Sequence, residues 1–555
     1  MEMRFGRLKK KQSSALDYQK KDRKKTTRTT FQLIFLFFLA SLLIKAAFNH
    51  ESYTALEQSS WSNKKGFIAL SYFGVSTSGS QTLIAKKQLE EQLQVLKDNG
   101  YVTVSQQDII NFYQKGEPLP DKALFLSFED GRNDSSILAQ TLLEKFNFKA
   151  TILTHANKLG KREYKLLQPK DLLKMKESGY WEIGSNGYRL TYINNYDKDG
   201  YFIDRIDETD FEAFNIEKSN HYLMDFLRDK NGIPVEDRAE MEKRINTDYH
   251  LMKKTYTREL GFIPDVYMIM HANSLYNGMN NLVEKANDQN IKSMFKLHFN
   301  REGQAYNALD SNQYNLTRVQ PEPHWSANTL MMKIREDSGQ KVTFETGDEQ
   351  LAKDWKLQGG AVQFAENKVI LTSPPGKEGL LFLRDSDSTP NYRINLRVGG
   401  TPEGKQSIYL RYNQQRGTNL KLVLENNELS VIQTSANNKA EILKRVEVNK
   451  EEIIVELNNQ QLSLWQDEKP LFEKLPFDAV LDSGGLALAS EPREIKEDEL
   501  GDLEDIYDSV FTNVQIVEFT SSETLFSNTN SGVQKAIELV DEEMKDLIDW
   551  TIATF

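Results

Sequence analysis

Between residues 66 and 195 short apolar runs alternate with amphipathic ones. GFIALSYFGV at 66 to 75 reads as a strand. LIAKKQLEEQLQVLKDNGY at 83 to 101 reads as a helix whose Leu83, Leu89, Leu93 and Leu96 share one face, closed by Asn99-Gly100 as a left-handed cap. VTVS, ALFLSF, KATILTH and WEIGS follow as strands, with QDIINFYQKG, SSILAQTLLEKFN and PKDLLKMKESG as helices among them. Strands separated by helices pair in parallel through right-handed crossovers, so the fold class predicted here is α/β, a sheet or a barrel. In such folds the working side chains gather at the carboxyl ends of the strands.

Residues 195 to 335 keep the mixed pattern but are more polar. SNHYLMDFLRDK and DRAEMEKRINTDYHLMKKTY read as inserted helices, and FIPDVYMIM at 262 to 270 as a strand. From about 340 short alternating runs such as VTFE, KVILTS, YRINLRV, LKLVLE, EIIVEL and VQIVEF replace the helices, which predicts an all-β sandwich over 340 to 520. Trp355 and Trp465 are read as core residues. EPREIKEDELGDLEDIYD at 491 to 508 is an acidic loop without calcium-loop spacing. GVQKAIELVDEEMKDLIDWTIATF at 532 to 555 carries a helical apolar stripe through Val533, Ile537, Val540, Met544, Leu547 and Ile548. Its polar face is acidic, so it is expected to pack on a domain rather than on an anionic membrane.

Charge is uneven along the 555 residues, whose formal total is -11. Residues 1 to 30 hold eleven Lys and Arg against Glu2, Asp17 and Asp22, a local +8 that leaves -19 for the remainder. FQLIFLFFLASLLIKAAF, residues 31 to 48, follows, and as a helix it would rise roughly 27 Å at about 1.5 Å per residue, near bilayer thickness. A basic arm before an apolar segment predicts a cytoplasmic tail at 1 to 30, a transmembrane anchor at 31 to 48, a spacer at 49 to 65 and an extracytoplasmic bulk. A cleaved signal peptide is the alternative. The arm suits anionic lipid better than nucleic acid. The absence of cysteine excludes disulfides, thiol chemistry and cysteine-ligated zinc.

The span from IALSYFGV through GYVTVSQQDIINFYQKGEPLPDKALFLSFEDG, KATILTHANKLG and LLKMKESGYWEIGSNGY resembles the polysaccharide deacetylases with a NodB-homology domain, in particular exported enzymes acting on poly-N-acetylglucosamine. The resemblance covers 66 to 195 and is weak over 196 to 335. It implies a deacetylase-like (β/α) barrel with insertions at 66 to 335. In that family a strand end T-F-D-D-G supplies the general base and then a metal ligand. Ser127-Phe128-Glu129-Asp130-Gly131 matches with one change, which assigns Glu129 the base role and Asp130 the ligand role. The extra methylene of Glu129 can misplace a base by about 1 Å, which costs ~100-fold.

The family completes its metal triad with two histidines in a segment G-S-H-x-x-x-H. At those positions this chain has Asn186 and Leu190, a weak zinc donor and a side chain with no donor. The resemblance therefore implies that Glu129 and Asp130 are vestigial. The family often has Tyr-His in its first strand, where this chain has Tyr72-Phe73. His155 and His271 fall at strand ends on the side of the site, so Asp130, His155 and His271 are the candidate ligands of an active form carrying zinc or another divalent ion; otherwise no cofactor is expected. Asn186, Tyr188, Arg189 and Tyr192 form a sugar-contacting set if the strand ends align as in the family, joined by Arg318 in YNLTRVQPEPHW. EIIVELNNQQLSLWQDEKPLFEKLPFDAV, GGLALAS and SVFTNVQIVEF are similar in order to laminin-G and concanavalin-like jelly rolls, which implies a glycan-binding sandwich.

Three readings follow. The first is a membrane-anchored, extracytoplasmic protein of exopolysaccharide or cell-envelope glycan biosynthesis, a metal-less pseudoenzyme that binds polysaccharide or serves as a scaffold. The second is an active polysaccharide N- or O-deacetylase with replaced ligands. The third is a structural subunit of a membrane polysaccharide synthase, with synthase subunits as partners. None of them involves nucleic acid.

Overall fold

Seven short strands bury side chains on both faces, as strands do when helices cover a parallel sheet outside and side chains fill it within. The computed structural model describes residues 22–34, 36, 52–161, 163, 165–211, 213–270, 275–276, 278–401, 404–435, 439–448, 452–493 and 505–529. The seven strands are β1 Gly66–Tyr72, β2 Ala123–Phe128, β3 Ala150–His155, β4 Trp181–Gly187, β5 Val266–Met268, β6 Leu297–Glu302 and β7 Leu316–Arg318. Each pairs in parallel with the next. A parallel bridge between Leu70 and Val319 brings the last back to the first, with the Ser71 N–H 2.9 Å from the Val319 carbonyl. The result is a nearly closed barrel.

Strand alternation sorts the side chains. Phe67, Ala69, Phe125, Leu153, Met268, Phe299 and Leu316 fill the interior, together with Ile109, Ile110 and Phe112 of helix α1, Gln106–Lys115. Ile68, Leu70, Tyr72, Leu126, Phe128 and Ile152 face the surrounding helices. Two or four residues beyond the interior positions, the same alternation sets Ser71, Glu129, His155 and Arg318 at the mouth.

After β4 the chain leaves the barrel for a three-stranded antiparallel sheet whose central strand is Thr191–Asp197. SNHYLMDFLRDK, predicted helical, instead ends the strand Ile216–His221 with its first three residues and continues in turns. Asp225 accounts for the difference: it accepts from Asn220 Nδ2, Arg228 Nε and the Phe226 N–H, local bonds that compete with helix formation. Helix α2, Arg238–Leu260, then begins on a reciprocal cap between Asp237 and Glu240 and ends at Gly261 with φ 84°.

Beyond helix α3, Ala327–Ser338, residues 341–346 are not a strand, contrary to the reading of VTFE. Side-chain amides take their backbone groups: the Thr343 N–H donates to Asn99 Oδ1 and the Glu345 N–H to Asn328 Oδ1. Two antiparallel sheets of seven and eight strands follow and share one apolar core. Four successive neighbours in the eight-stranded sheet are β11 Asp508–Glu518, β8 Tyr392–Gly399, β9 Glu452–Asn458 and β10 Gln461–Gln466. Trp355 lies in the core, edge-on to Phe526. Trp465 does not, because Leu462 and Leu464 take the inward positions of β10 and leave the indole half-buried on the outer face.

Asp508 joins the barrel to these sheets, accepting from the Ser326 N–H, Thr329 Oγ1 and Thr372 Oγ1. At the amino end residues 22–34 are helical and exposed. Of the predicted anchor 31–48 only 31–34 and 36 are described, and among the described residues no helix is long and apolar enough to cross a membrane. The predicted helix at 532–555 and residues 494–504 of the acidic run lie outside the described residues.

Candidate functional site

Strand β2 runs out at Phe128, and the Glu129 N–H still bonds the Tyr72 carbonyl at 2.9 Å, which turns the Glu129 side chain into the barrel. There it is fully buried. Ser71 Oγ donates to Glu129 Oε1 at 2.6 Å, and Arg318 Nε lies 3.5 Å from the same oxygen. Arg318, equally buried, reaches Glu302 Oε1 through Nη2 at 2.6 Å. Burial pushes the Glu129 carboxyl up, and the Arg318 guanidinium and the Ser71 hydroxyl pull it back. Glu129 and Arg318 are thus a buried ion pair closed to solvent.

Asp130 and Gly131 take consecutive left-handed conformations, φ 64° and 62°. A side chain at Gly131 would meet Thr154 Cγ2 at 2.8 Å. The left-handed region is uncommon for non-glycine residues and recurs at functional sites. The Asp130 N–H donates to Asn186 Oδ1 at 3.1 Å, and Asn186 Nδ2 donates to the Met268 carbonyl at 3.0 Å. Asn186 is thus a strut across β2, β4 and β5. Asp130 Oδ1 lies 3.3 Å from His155 Nε2, within reach of charge attraction but not aligned as a hydrogen bond. The His155 side chain is 3% exposed and that of Asp130 10%, and neither ring nitrogen has a hydrogen-bond partner among the described residues.

Helix α2 lays Asp248 beside this pair. Arg189 Nε donates to Asp248 Oδ2 at 3.2 Å. Burial raises the Asp248 carboxyl to about 6, while Arg189, Arg244 and His155 lower it. The Arg189 guanidinium covers the Tyr222 ring at 4.7 Å and approaches Tyr188 at 5.7 Å. Tyr192 is buried against Phe211, and its hydroxyl is pushed up by burial and then by the charges of Glu208 and Asp130.

The mouth of the barrel therefore brings together Glu129, Asp130, His155, Asn186 and Arg318. Asp130, Tyr188 and Arg189 are partly open to solvent, whereas Glu129, Asn186, Tyr192 and Arg318 are buried. His271 lies outside the described residues. His298 is inside the barrel wall, stacked on Tyr267 and bonded through Nδ1 to the Tyr314 carbonyl; burial lowers it to about 4. Sequence reasoning missed Ser71, Glu302 and Asp248. Asp248 had left a signal, being the one charged residue among the buried positions of α2, with Met241, Ile245, Tyr249, Met252, Thr255, Tyr256 and Leu260.

Among the described residues no three His, Cys, Asp or Glu side chains are placed to hold a metal ion. Asp130 and His155 offer two donors, Asn186 is engaged as the strut, and Leu190 is buried without one. These residues do not fit a three-ligand metal centre.

Residues 116–221 match the family model described as Polysaccharide deacetylase. YxkH of Bacillus subtilis (strain 168), provisionally named a polysaccharide deacetylase, is 28% identical over 95 residues, which is 17% of this chain and 34% of that protein. The poly-beta-1,6-N-acetyl-D-glucosamine N-deacetylase of Escherichia coli (strain K12) is 32% identical over 88 residues, 15% of this chain and 13% of that protein. The chain spans well under half the length of either relative. A solved de-N-acetylase from Aggregatibacter actinomycetemcomitans is 20% identical and covers 47% of this chain and 97% of that chain, with a TM-score of 0.36.

Proposed function

Because the chain carries a polysaccharide deacetylase (NodB-like) domain, we propose that it serves exopolysaccharide or cell-envelope glycan biosynthesis as a polysaccharide-binding protein that does not hydrolyse its ligand. The donor set at the barrel mouth carries this reading. Asn186 and Leu190 stand where the family has histidines, and the Asn186 amide is committed to Asp130 and Met268. What remains open is a rim of Asp130, Tyr188 and Arg189, a carboxylate, a ring and a guanidinium of the kinds that contact sugar rings and hydroxyls. Residues 31–48 would hold this cleft at the extracytoplasmic face of the membrane, with the basic arm on the other side. Subunits of a polysaccharide synthase are the partners that suit such a position.

A working N-deacetylase with substituted ligands is the second reading, favoured by the 3.3 Å approach of His155 to Asp130. Binding of N-acetylglucosamine oligosaccharides tests the first. In the double variant Tyr188→Ala/Arg189→Ala affinity should fall about tenfold, as expected for loss of one aromatic contact and one charged donor. Affinity unchanged by that pair of substitutions would leave the cleft without a ligand role.

A further inference from the structure

We infer that the outer face of the eight-stranded sheet holds a second glycan subsite, with Trp465 as its stacking platform, independent of the barrel mouth. A hollow of about 140 Å³ opens on that face, lined by Asn395, Arg397, Glu452, Asn513, Gln515 and Thr529 and, at its base, by the core residue Leu396. Its makers are strand neighbours. Gln515 of β11 stands opposite Asn395 of β8, Asn395 opposite Ile454 of β9, and Ile454 opposite Trp465 of β10. All four occupy outward positions, since Ile453, Val455, Leu462, Leu464, Val514 and Ile516 are the core residues of those strands. At about 4.8 Å per strand the indole lies roughly 10 Å from Asn395 along this row, a span over which consecutive sugar units can reach from one to the other.

The hollow is built into the sheet. The pairing of β8 with β11 slips between Asn395 and Arg397, and Asn513 takes up the slip with φ 54°. A bulge of this kind re-aims side chains and is common beside binding sites. The Asn513 conformation is tied down by the Asn367 carbonyl and by Asn367 Nδ2. Arg397 and Glu452 face each other across β8 and β9, yet neither they nor Gln515 make a side-chain hydrogen bond or ion pair with any described residue. Carboxamides that both donate and accept, with a guanidinium and a carboxylate beside them, match the vicinal hydroxyls and acetamido groups of a pyranose. An indole face matches its CH surface. Hydroxyl-rich polysaccharide is the ligand class that uses both halves of this row.

The test is native affinity electrophoresis of the full chain in gels containing an N-acetylglucosamine polymer, a neutral β-glucan or a polyuronate, one polymer per gel. Retardation in at least one gel is expected, with Trp465→Ala lowering the affinity about tenfold. Trp465→Phe should keep most of the retardation, and Asn395→Ala/Gln515→Ala should lose it without touching the indole. The Tyr188→Ala/Arg189→Ala protein should keep the loss caused by Trp465→Ala, so failure of the barrel reading and of this one are read separately. Equal migration of wild type, Trp465→Ala and the Asn395/Gln515 double variant overturns the subsite. Unretarded wild type in every gel does the same.

Discussion

Asp248 and His298 are buried titratable groups whose protonation pulls stability in opposite directions over one pH range. Asp248 is raised from 3.8 to about 6, so the folded protein binds its proton more tightly than the unfolded chain, and this contribution to stability falls as pH rises from about 4 to about 6. His298 is lowered from 6.5 to about 4, so the unfolded chain binds its proton more tightly, and stability is lost as pH falls through the same window. At 1.36 kcal/mol per unit each shift corresponds to roughly 3 kcal/mol, and in the wild type the two largely cancel. Urea unfolding between pH 4 and 6.5 should show Asp248→Asn gaining stability relative to wild type as pH rises. His298→Phe, which keeps a ring against Tyr267, should gain as pH falls. Parallel pH profiles for all three proteins would show that neither group is buried as described.

At the scale of elements, the barrel was legible because both its signals are short-ranged. The strand β2 and helix α1 follow from ALFLSF and QDIINFYQKG, whose apolar spacing matches the faces they bury. Ser105 even announces the start of α1, with Asp108 three residues on closing a reciprocal cap. The order of these segments carried the family resemblance as well. What periodicity could not supply were elements fixed by local side-chain bonds. Asp225 makes a turn of a segment with helical composition, and Asn99 and Asn328 hold residues 341–346 out of either sheet. The same limit applies to the site. Asp130 was legible from its motif, but its meeting with His155, the engagement of Glu129 by Arg318 and the arrival of Asp248 depend on contacts between distant elements. Trp465 was misread for a related reason: aromatic content suggests core, and only the register of β10 shows the face the indole occupies.

At the scale of the whole molecule, Asp508 makes a polar joint between barrel and sandwich. Its carboxylate accepts from the Ser326 N–H at the start of α3, from Thr329 and from Thr372. Asp508→Ala leaves these donors without their charged acceptor, at a cost of about 1.5–3 kcal/mol for a bond to a charged group. Scanning calorimetry should then resolve two transitions, barrel and sandwich, where the wild type gives one; a single transition at the wild-type temperature would show that Asp508 does not couple them. Beyond this joint, the described residues present two candidate sugar-contacting faces and, at the barrel mouth, two metal donors, Asp130 and His155. The most direct test is bound metal and acetate release measured together on the purified protein, with an acetylated glucosamine polymer as substrate. Substoichiometric zinc, cobalt and nickel with no acetate above background is the predicted result. One ion per chain, with acetate release that a chelator abolishes and the metal restores, would contradict it and make His155 and Asp130 ligands of a working deacetylase.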